Sequence, residues 1–288
     1  MQARPLVVGY DGSPDARAAL HWALDEAERA SLPVKILYAF AWYIGPTWYA
    51  PGPSAWPDAE ARADATAMLR SAVDDAHTSH PGVTVSAVVM DGSPQVCLQD
   101  ASADAAMAVL GGRGTGGFGE LLIGSTAVSV SAHARCPVVV VRAGTDEAAG
   151  DVVVGFDGSP CAHLALEFAF EKAAACHAPL RVIQTLSPPP TRYYLETATQ
   201  HLRDHLTQLT ASLRQKFPQV PVSTDVLIGG AAGHLVAASS RARLVVVGSR
   251  GRSGFSGAFL GSVGQELIHH AHCPVAIVRE VPAPVAVS

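Results

Sequence analysis

Short unbroken apolar runs alternate with amphipathic stretches along the whole chain. Residues 5–10 (Pro-Leu-Val-Val-Gly-Tyr) form the first run, the pattern of a strand buried on both faces of a parallel sheet. Asp11-Gly12-Ser13-Pro14 then turns the chain, with Ser13 placed to cap a helix and Pro14 at its first position. Ala16, Ala19, Leu20, Ala23, Leu24 and Ala27 recur at helical spacing behind it. The same reading predicts strands at 33–40, 83–89, 106–110 and 138–141. It predicts helices at about 58–77, after Ser93-Pro94, and at 125–134. Residues 41–57, rich in Trp, Tyr, Gly and Pro, read as a long loop.

The second half repeats this order. Val7-Val8-Gly9-Tyr10-Asp11-Gly12-Ser13-Pro14 returns as Val153-Val154-Gly155-Phe156-Asp157-Gly158-Ser159-Pro160, an offset of 157 − 11 = 146. Later landmarks return at 248 − 111 = 137, among them His133/His270, Cys136-Pro137/Cys273-Pro274 and Arg142/Arg279. The first half therefore carries nine more residues between its Asp and its glycine loop, and the 41–57 segment accounts for them. The chain reads as a duplication, one domain at 1–143 and one at 151–280, joined by a linker near 143–150. Each half has the order β-α-β-α-β-α-β-α-β, and alternation of this kind demands right-handed crossovers and parallel strands covered on both faces. The expected fold class is α/β: two tandem open five-stranded parallel sheets with helices on both faces, Rossmann-like. Ligands of such sheets sit beyond the carboxyl ends of the strands, where the strand order reverses.

Two glycine loops lie there. Gly111, Gly114 and Gly124-Ser125 are separated by two and then nine residues, and Gly248, Gly251 and Gly261-Ser262 repeat the spacing. An apolar strand feeds each loop, and the Gly-Ser pair opens a helix. A helix start offers unpaired N–H groups and a positive dipole end, which suits a phosphate chain. Taken alone, the glycines are also compatible with tight turns, and Asp11 and Asp157 with turn residues ahead of a helix. Gly114-Thr115-Gly116-Gly117-Phe118-Gly119 matches a dinucleotide fingerprint literally. It follows the fourth strand of its half, lacks an acidic residue about 20 positions on, and is broken in the second copy at Arg252-Ser253, so NAD binding is rejected. No P-loop lysine is present. Arg113 and Arg250 are the cations that recur in both loops, read equally as solvated side chains or phosphate contacts.

Composition narrows the function. Apolar residues make up 49% and charged residues 16%, enough for two buried cores. A net charge of −5 without a Lys/Arg cluster argues against nucleic acid as a partner. No apolar run approaches a membrane span, and five scattered cysteines without a CxxC pair suit reduced thiols; a cytoplasmic location is expected.

With both glycine patterns and an Asp after the first strand of each half, the sequence resembles the universal stress protein family in its tandem form. The resemblance covers nearly the whole chain. It implies an adenine nucleotide alpha hydrolase-like fold, binding of ATP with Mg²⁺, and pairing through the last strands, 138–141 and 275–278, as a pseudo-dimer or homodimer. Residue by residue, it implies Asp11 and Asp157 near ribose and adenine, and backbone groups of Ala39 and Thr185 at the adenine edge. The phosphates would lie on Gly111, Arg113, Gly114, Gly124, Ser125 and Thr126. Their second-half counterparts are Gly248, Arg250, Gly251, Gly261, Ser262 and Val263. Gly112, standing where the second half has Ser249, removes a hydroxyl, and the first site is expected to hold phosphate slightly less well.

Other chemistry is read as weak. His133 and His270 fall in a last helical turn, where a cation suits the dipole, and adjacent members of His269-His270-Ala271-His272 point to different faces; no metal site and no catalytic residue is expected. Cys136 and Cys273 read as small buried fillers. The aromatics at 42, 43, 48, 49 and 56 suit equally a cover over the adenine or a partner patch. The functions in play are thus an ATP-binding regulator of a stress or dormancy response with a protein partner, a slow ATPase, and a nucleotide-free scaffold.

Overall fold

The computed structural model describes residues 3–41, 59–114, 123–144, 150–186, 192–251 and 260–280, with the side chains of 192–195 excepted. The aromatic segment from Trp42 to Trp56, Gly117-Phe118 and Gly254-Phe255 lie outside the described residues. The chain divides into two compact units, Met1–Cys136 with Val141–Ala143, and Pro137–Val140 with Gly144–Ser288.

In the first half the order is β1 (Leu6–Gly9), α1 (Pro14–Ala30), β2 (Val34–Phe40), α2 (Ala59–Ser79), β3 (Val85–Asp91), α3 (Pro94–Ala101), β4 (Met107–Gly111), α4 (Ser125–His133) and β5 (Val138–Val141). The second half follows with β6 (Asp151–Gly155), α5 (Pro160–Ala175), β7 (Leu180–Leu186), α6 (Arg192–Lys216), β8 (Val222–Ile228), α7 (Ala231–Ser239), β9 (Ala242–Gly248), α8 (Ser262–His270) and β10 (Val275–Val278). Helix α1 forms where its caps and stripe agree. The Ser13 hydroxyl accepts the Ala16 N–H at 3.2 Å, Pro14 presets the first turn, and Ser31 at φ 53° ends the helix in the left-handed region. Its stripe Ala16, Ala19, Leu20, Ala23, Leu24 and Ala27 is buried. Leu20 and Leu24 each contribute about 2 kcal/mol of burial, and the alanines between them let the helix lie close against β1 and β4.

β1 lies between β2 and β4, all parallel, with Leu6 opposite both Val34 and Met107. Because β3 lies outside β2, the chain travels outward from β1 and then returns to its other flank, so the strand order reverses between β1 and β4. β6 repeats the arrangement between β7 and β9, with Val152 opposite Leu180 and Leu244. The second unit runs β10-β9-β6-β7-β8, five parallel strands. It also takes in Pro137–Val140, where β10 pairs antiparallel, Val275 with Val140 and Ile277 with Val138. Strand interiors such as Leu6, Val8, Val152 and Val154 are wholly buried, as continuous apolar runs covered on two faces must be. No helix among the described residues is long and apolar enough to cross a membrane.

Cys136 and Cys273 are the buried fillers their spacing implied, and burial pushes both thiols up to about 12. A raised folded pKa means that stability is complete below the unfolded value near 9 and lost as pH rises towards the folded one. Each thiol should therefore lower stability by about 1.4 kcal/mol per pH unit above pH 9. Chemical denaturation from pH 8 to 11 should show a flatter alkaline decline in a Cys136→Ala/Cys273→Ala variant than in the wild type.

Candidate functional site

The turn after β1 aims an aspartate at the strand ends. Gly12 at φ +75° and Gly158 at φ +82° adopt the left-handed region that lets the chain double back behind Asp11 and Asp157. Asp11 Oδ1 then accepts the Ser13 N–H at 3.0 Å, and Asp157 Oδ1 the Ser159 N–H at 2.9 Å. The two serines do more than cap their helices. Ser13 Oγ donates to the Arg113 carbonyl, and Ser159 Oγ to that of Arg250, both at 3.1 Å. Each turn is thereby fastened to a glycine loop about a hundred residues away, a link that no local pattern announces.

The glycines of the loops are demanded by close approach. A Cβ on Gly111 would stand 2.7 Å from the Asp15 carbonyl carbon, and one on Gly248 would stand 2.9 Å from that of Cys161. On Gly114 it would meet Asp11 Oδ2 at 2.5 Å, and on Gly251 Asp157 Oδ2 at 2.7 Å. Beyond the loops, Gly124 and Gly261 cap α4 and α8 without a side chain. Their own N–H groups are held by the Gly112 and Ser249 carbonyls at 2.8 and 2.9 Å. The first-turn N–H groups of these helices receive no side-chain cap, which leaves the positive end of each dipole available to an anion.

In the first unit these parts enclose a cleft of about 760 Å³. Asp11, Ala39, Gly111, Arg113, Gly114, Gly124, Ser125 and Thr126, all named from sequence, line it together. Ala39 is reached at the carboxyl end of β2, opposite Met90 of β3. Tyr10, Asp15, Tyr38 and Ile123 line it as well and escaped the sequence reading. Burial pushes the Tyr10 phenol up, Arg17 acting in the opposite sense. In the second unit Asp157 follows β6, Thr185 lies in β7 opposite Leu227, and Gly248, Arg250 and Gly251 leave β9. Gly261, Ser262 and Val263 open α8.

The halves differ beneath the loop. Asp15, 3% exposed, accepts the Arg113 N–H at Oδ2 and the Ala143 N–H at Oδ1, both at 2.9 Å. Arg113 Nε stands 3.6 Å from the same carboxylate. Burial lowers the pKa of half-buried Arg142 and Asp15 pulls it back up. In the second half Cys161 replaces Asp15, and the buried Ser249 hydroxyl donates to its Sγ at 3.7 Å. Arg279 is lowered by burial and then by Arg250, with Cys161 acting in the opposite sense. The Ser249 hydroxyl is therefore a partner for Cys161. Gly112 is the small member of a buried pair with Asp15: its Cβ would stand 3.4 Å from Asp15 Oδ2 and 3.1 Å from Arg142 Cγ. An isolated Asp directly after a Ser-Pro gives no hint of this.

The histidines at helix ends have local partners. His133 Nδ1 donates to the Ser129 carbonyl at 2.8 Å, and His270 Nε2 stands 3.6 Å from Glu266.

Comparison with known proteins bears on this geometry. The model of the family described as "Universal stress protein family" matches residues 2–142 and again 150–279. A universal stress protein of Mycolicibacterium smegmatis is 34% identical over 287 residues, covering 95% of this chain and 96% of its own. One from Mycobacterium tuberculosis is 31% identical over 290 residues, covering 96% of each. Among solved structures, a universal stress protein of Archaeoglobus fulgidus superposes with a TM-score of 0.68 over 97% of this chain and 99% of that one. Its sequence identity is 17%, so the likeness speaks for the fold.

Proposed function

Because this chain belongs to the universal stress protein family, we propose that it binds ATP with Mg²⁺, one nucleotide per unit, and acts as a nucleotide-dependent regulator of a stress or dormancy response. The observation that carries this reading is the first-unit cleft, where a carboxylate, an exposed strand end and an uncapped helix start converge. A volume of about 760 Å³ lies in the range of small-molecule sites. Asp11 faces the cleft beside Gly114, as a group for ribose hydroxyls would. The Ala39 backbone lies at the open end of β2, where it can read an adenine edge, and the α4 N-terminus would take the phosphates. The second-unit set, from Asp157 to Val263, repeats the same hydrogen bonds and would hold the second nucleotide. Both Asp15 oxygens accept main-chain N–H groups, so Mg²⁺ would keep phosphate and water ligands rather than a protein cage.

Regulation is preferred to turnover because phosphoryl transfer rests on positioned cations and an oriented nucleophile. Arg113 is mostly exposed, and among the described residues no lysine lines the cleft. The free cysteines suit a cytoplasmic setting. The signal would pass to a protein partner that distinguishes loaded from empty chains.

Mass spectrometry of small molecules released from denatured protein should find adenine nucleotide. ATP at about 1,000 times its dissociation constant should stabilise the protein by about 4 kcal/mol, read as a rise in Tm. Gly114→Ala and Gly251→Ala should each reduce that rise, because the new methyl displaces Asp11 or Asp157. Released protein free of nucleotide, together with an unchanged Tm in ATP, ADP and AMP, would refute the proposal and favour a scaffold. Product chromatography showing turnover well above one per minute would favour an ATPase.

A further inference from the structure

Further along α1 lies a cluster that the nucleotide reading does not use. His21 and Asp25 stand four residues apart on that helix, on one face. His80, the residue just beyond α2, is brought against them. His80 Nε2 lies 2.8 Å from Asp25 Oδ1, and His21 Nδ1 lies 3.6 Å from Asp25 Oδ2. The two imidazoles meet edge to face with centroids 5.8 Å apart. One ligand atom from each of the three residues falls within 4.8 Å of the other two.

We infer that His21, Asp25 and His80 form a binding site for a divalent transition ion, with Zn²⁺ as its natural probe. Four ligands around Zn²⁺ at 2.0–2.1 Å are about 3.4 Å apart, and the contacts of 2.8 Å to Asp25 Oδ1 and 3.6 Å to Asp25 Oδ2 lie on either side of that spacing. The donor set of two imidazoles and a carboxylate is one that zinc accepts, with water completing the shell. Each ligand is supported differently. His80 is fixed by its backbone, its N–H donating to the Ala76 carbonyl at 2.8 Å and its carbonyl accepting the Val83 N–H at 3.0 Å. Its Nδ1 lies 2.9 Å from Ser79 Oγ, a partner that would hold the proton on Nδ1 once an ion replaces the one on Nε2. His21 has a side chain 73% exposed and forms the entrance, while Asp25, at 21%, leaves room for water.

The second unit supplies an internal comparison. Phe217 repeats the backbone bonds of His80, donating to the Leu213 carbonyl and accepting from Val220, at an offset of 217 − 80 = 137. At the positions of His21 and Asp25, offset by 146, stand Glu167 and Glu171. Phe217 there stacks on Phe170 with centroids 5.9 Å apart. An apolar aromatic is thus sufficient to fill this corner, and packing alone does not call for a histidine joined to two further ligands. The site lies about 11 Å along α1 from the helix's first turn, where the nucleotide cleft is, so neither proposal depends on the other.

The test is calorimetric titration of the full chain with Zn²⁺ in nucleotide-free buffer, paired with the visible spectrum of the Co²⁺-loaded protein. One ion per chain is expected, with nitrogen and oxygen ligation and no thiolate charge-transfer band. His21→Ala, a change on an exposed side chain whose folding circular dichroism would verify, should weaken binding at least tenfold, as should Asp25→Asn. His269→Ala/His270→Ala should leave it unchanged. The assignment is overturned by the absence of saturable binding, by a thiolate band, by undiminished affinity in His21→Ala, or by loss of binding in the His269/His270 variant.

Discussion

Removing the buried carboxylate by Asp15→Ala should lower the stability of the first unit by about 3 kcal/mol. For a unit of this size that corresponds to roughly 6–12 °C in its transition temperature. The side chain is almost fully buried and accepts two main-chain N–H groups, from Arg113 in the glycine loop and Ala143 after β5. Alanine would leave both donors without their partner and take away a countercharge beside Arg142, whose guanidinium is half-buried. Breaking one side of such an arrangement costs far more than the pair contributes net. The second unit solves the same problem without charge, through Cys161 and the Ser249 hydroxyl. The double variant Asp15→Cys/Gly112→Ser should accordingly lose less stability than the sum of its two single changes, a coupling that a double-mutant cycle measures. Additive losses would mean that the two positions are not one buried unit. On the proposed nucleotide reading, the second loop also lacks one negative charge relative to the first, and its site should bind ATP more tightly.

A comparable loss is expected from a single methyl group at Gly111. The new Cβ would lie 2.7 Å from the Asp15 carbonyl carbon and 2.8 Å from the Ala16 nitrogen. Both are backbone atoms of the first turn of α1, which Ser13 pins by accepting the Ala16 N–H and donating to Arg113. No side chain can rotate away, so α1 must shift from β4 and take the Ser13–Arg113 bond with it. Overpacking of this kind costs about 1–3 kcal/mol, and the upper end applies because the obstacle is backbone. Gly248→Ala meets Cys161 and Ala162 slightly less closely, at 2.9–3.0 Å, and should cost somewhat less. Gly124→Ala is the control, since its nearest neighbour would be the Gly112 carbonyl oxygen at 3.5 Å, an ordinary contact. Calorimetry that showed all three variants within a degree or two of the wild type would disprove the steric account. If Gly111→Ala lost nucleotide binding without losing stability, its glycine would serve ligand approach rather than helix packing.

How much of this was readable in advance depends on whether the cause was local. Ser13-Pro14, Ser93-Pro94 and Ser159-Pro160 each start a helix where expected, because a hydroxyl acceptor and a preset φ act within one turn. The last strand, 138–141, has the predicted bounds, since four consecutive valines between a proline and an arginine leave little choice. Strand β3 lies two residues later than its apolar pattern suggested, at Val85–Asp91. Its partly exposed side chains give weak periodicity, and its register with β2 sets the ends instead.

The repeated spacing of glycines pointed to the first-unit cleft because close approach leaves little room for a side chain at Gly111 and Gly114, and that constraint is written in residue type. The roles of Ser13 towards Arg113, Asp15 towards Ala143, and Ser249 towards Cys161 depend on partners about 90 to 130 positions away. The meeting of His80 with α1 likewise depends on a partner 55 positions away. An aspartate or a histidine in an amphipathic helix reads the same whether it faces water or a neighbour. Local chemistry along the chain settled the elements, the duplication and the glycine cradles. Which polar side chains became buried partners was decided only when parallel strand pairing brought distant loops to the same end of the sheet.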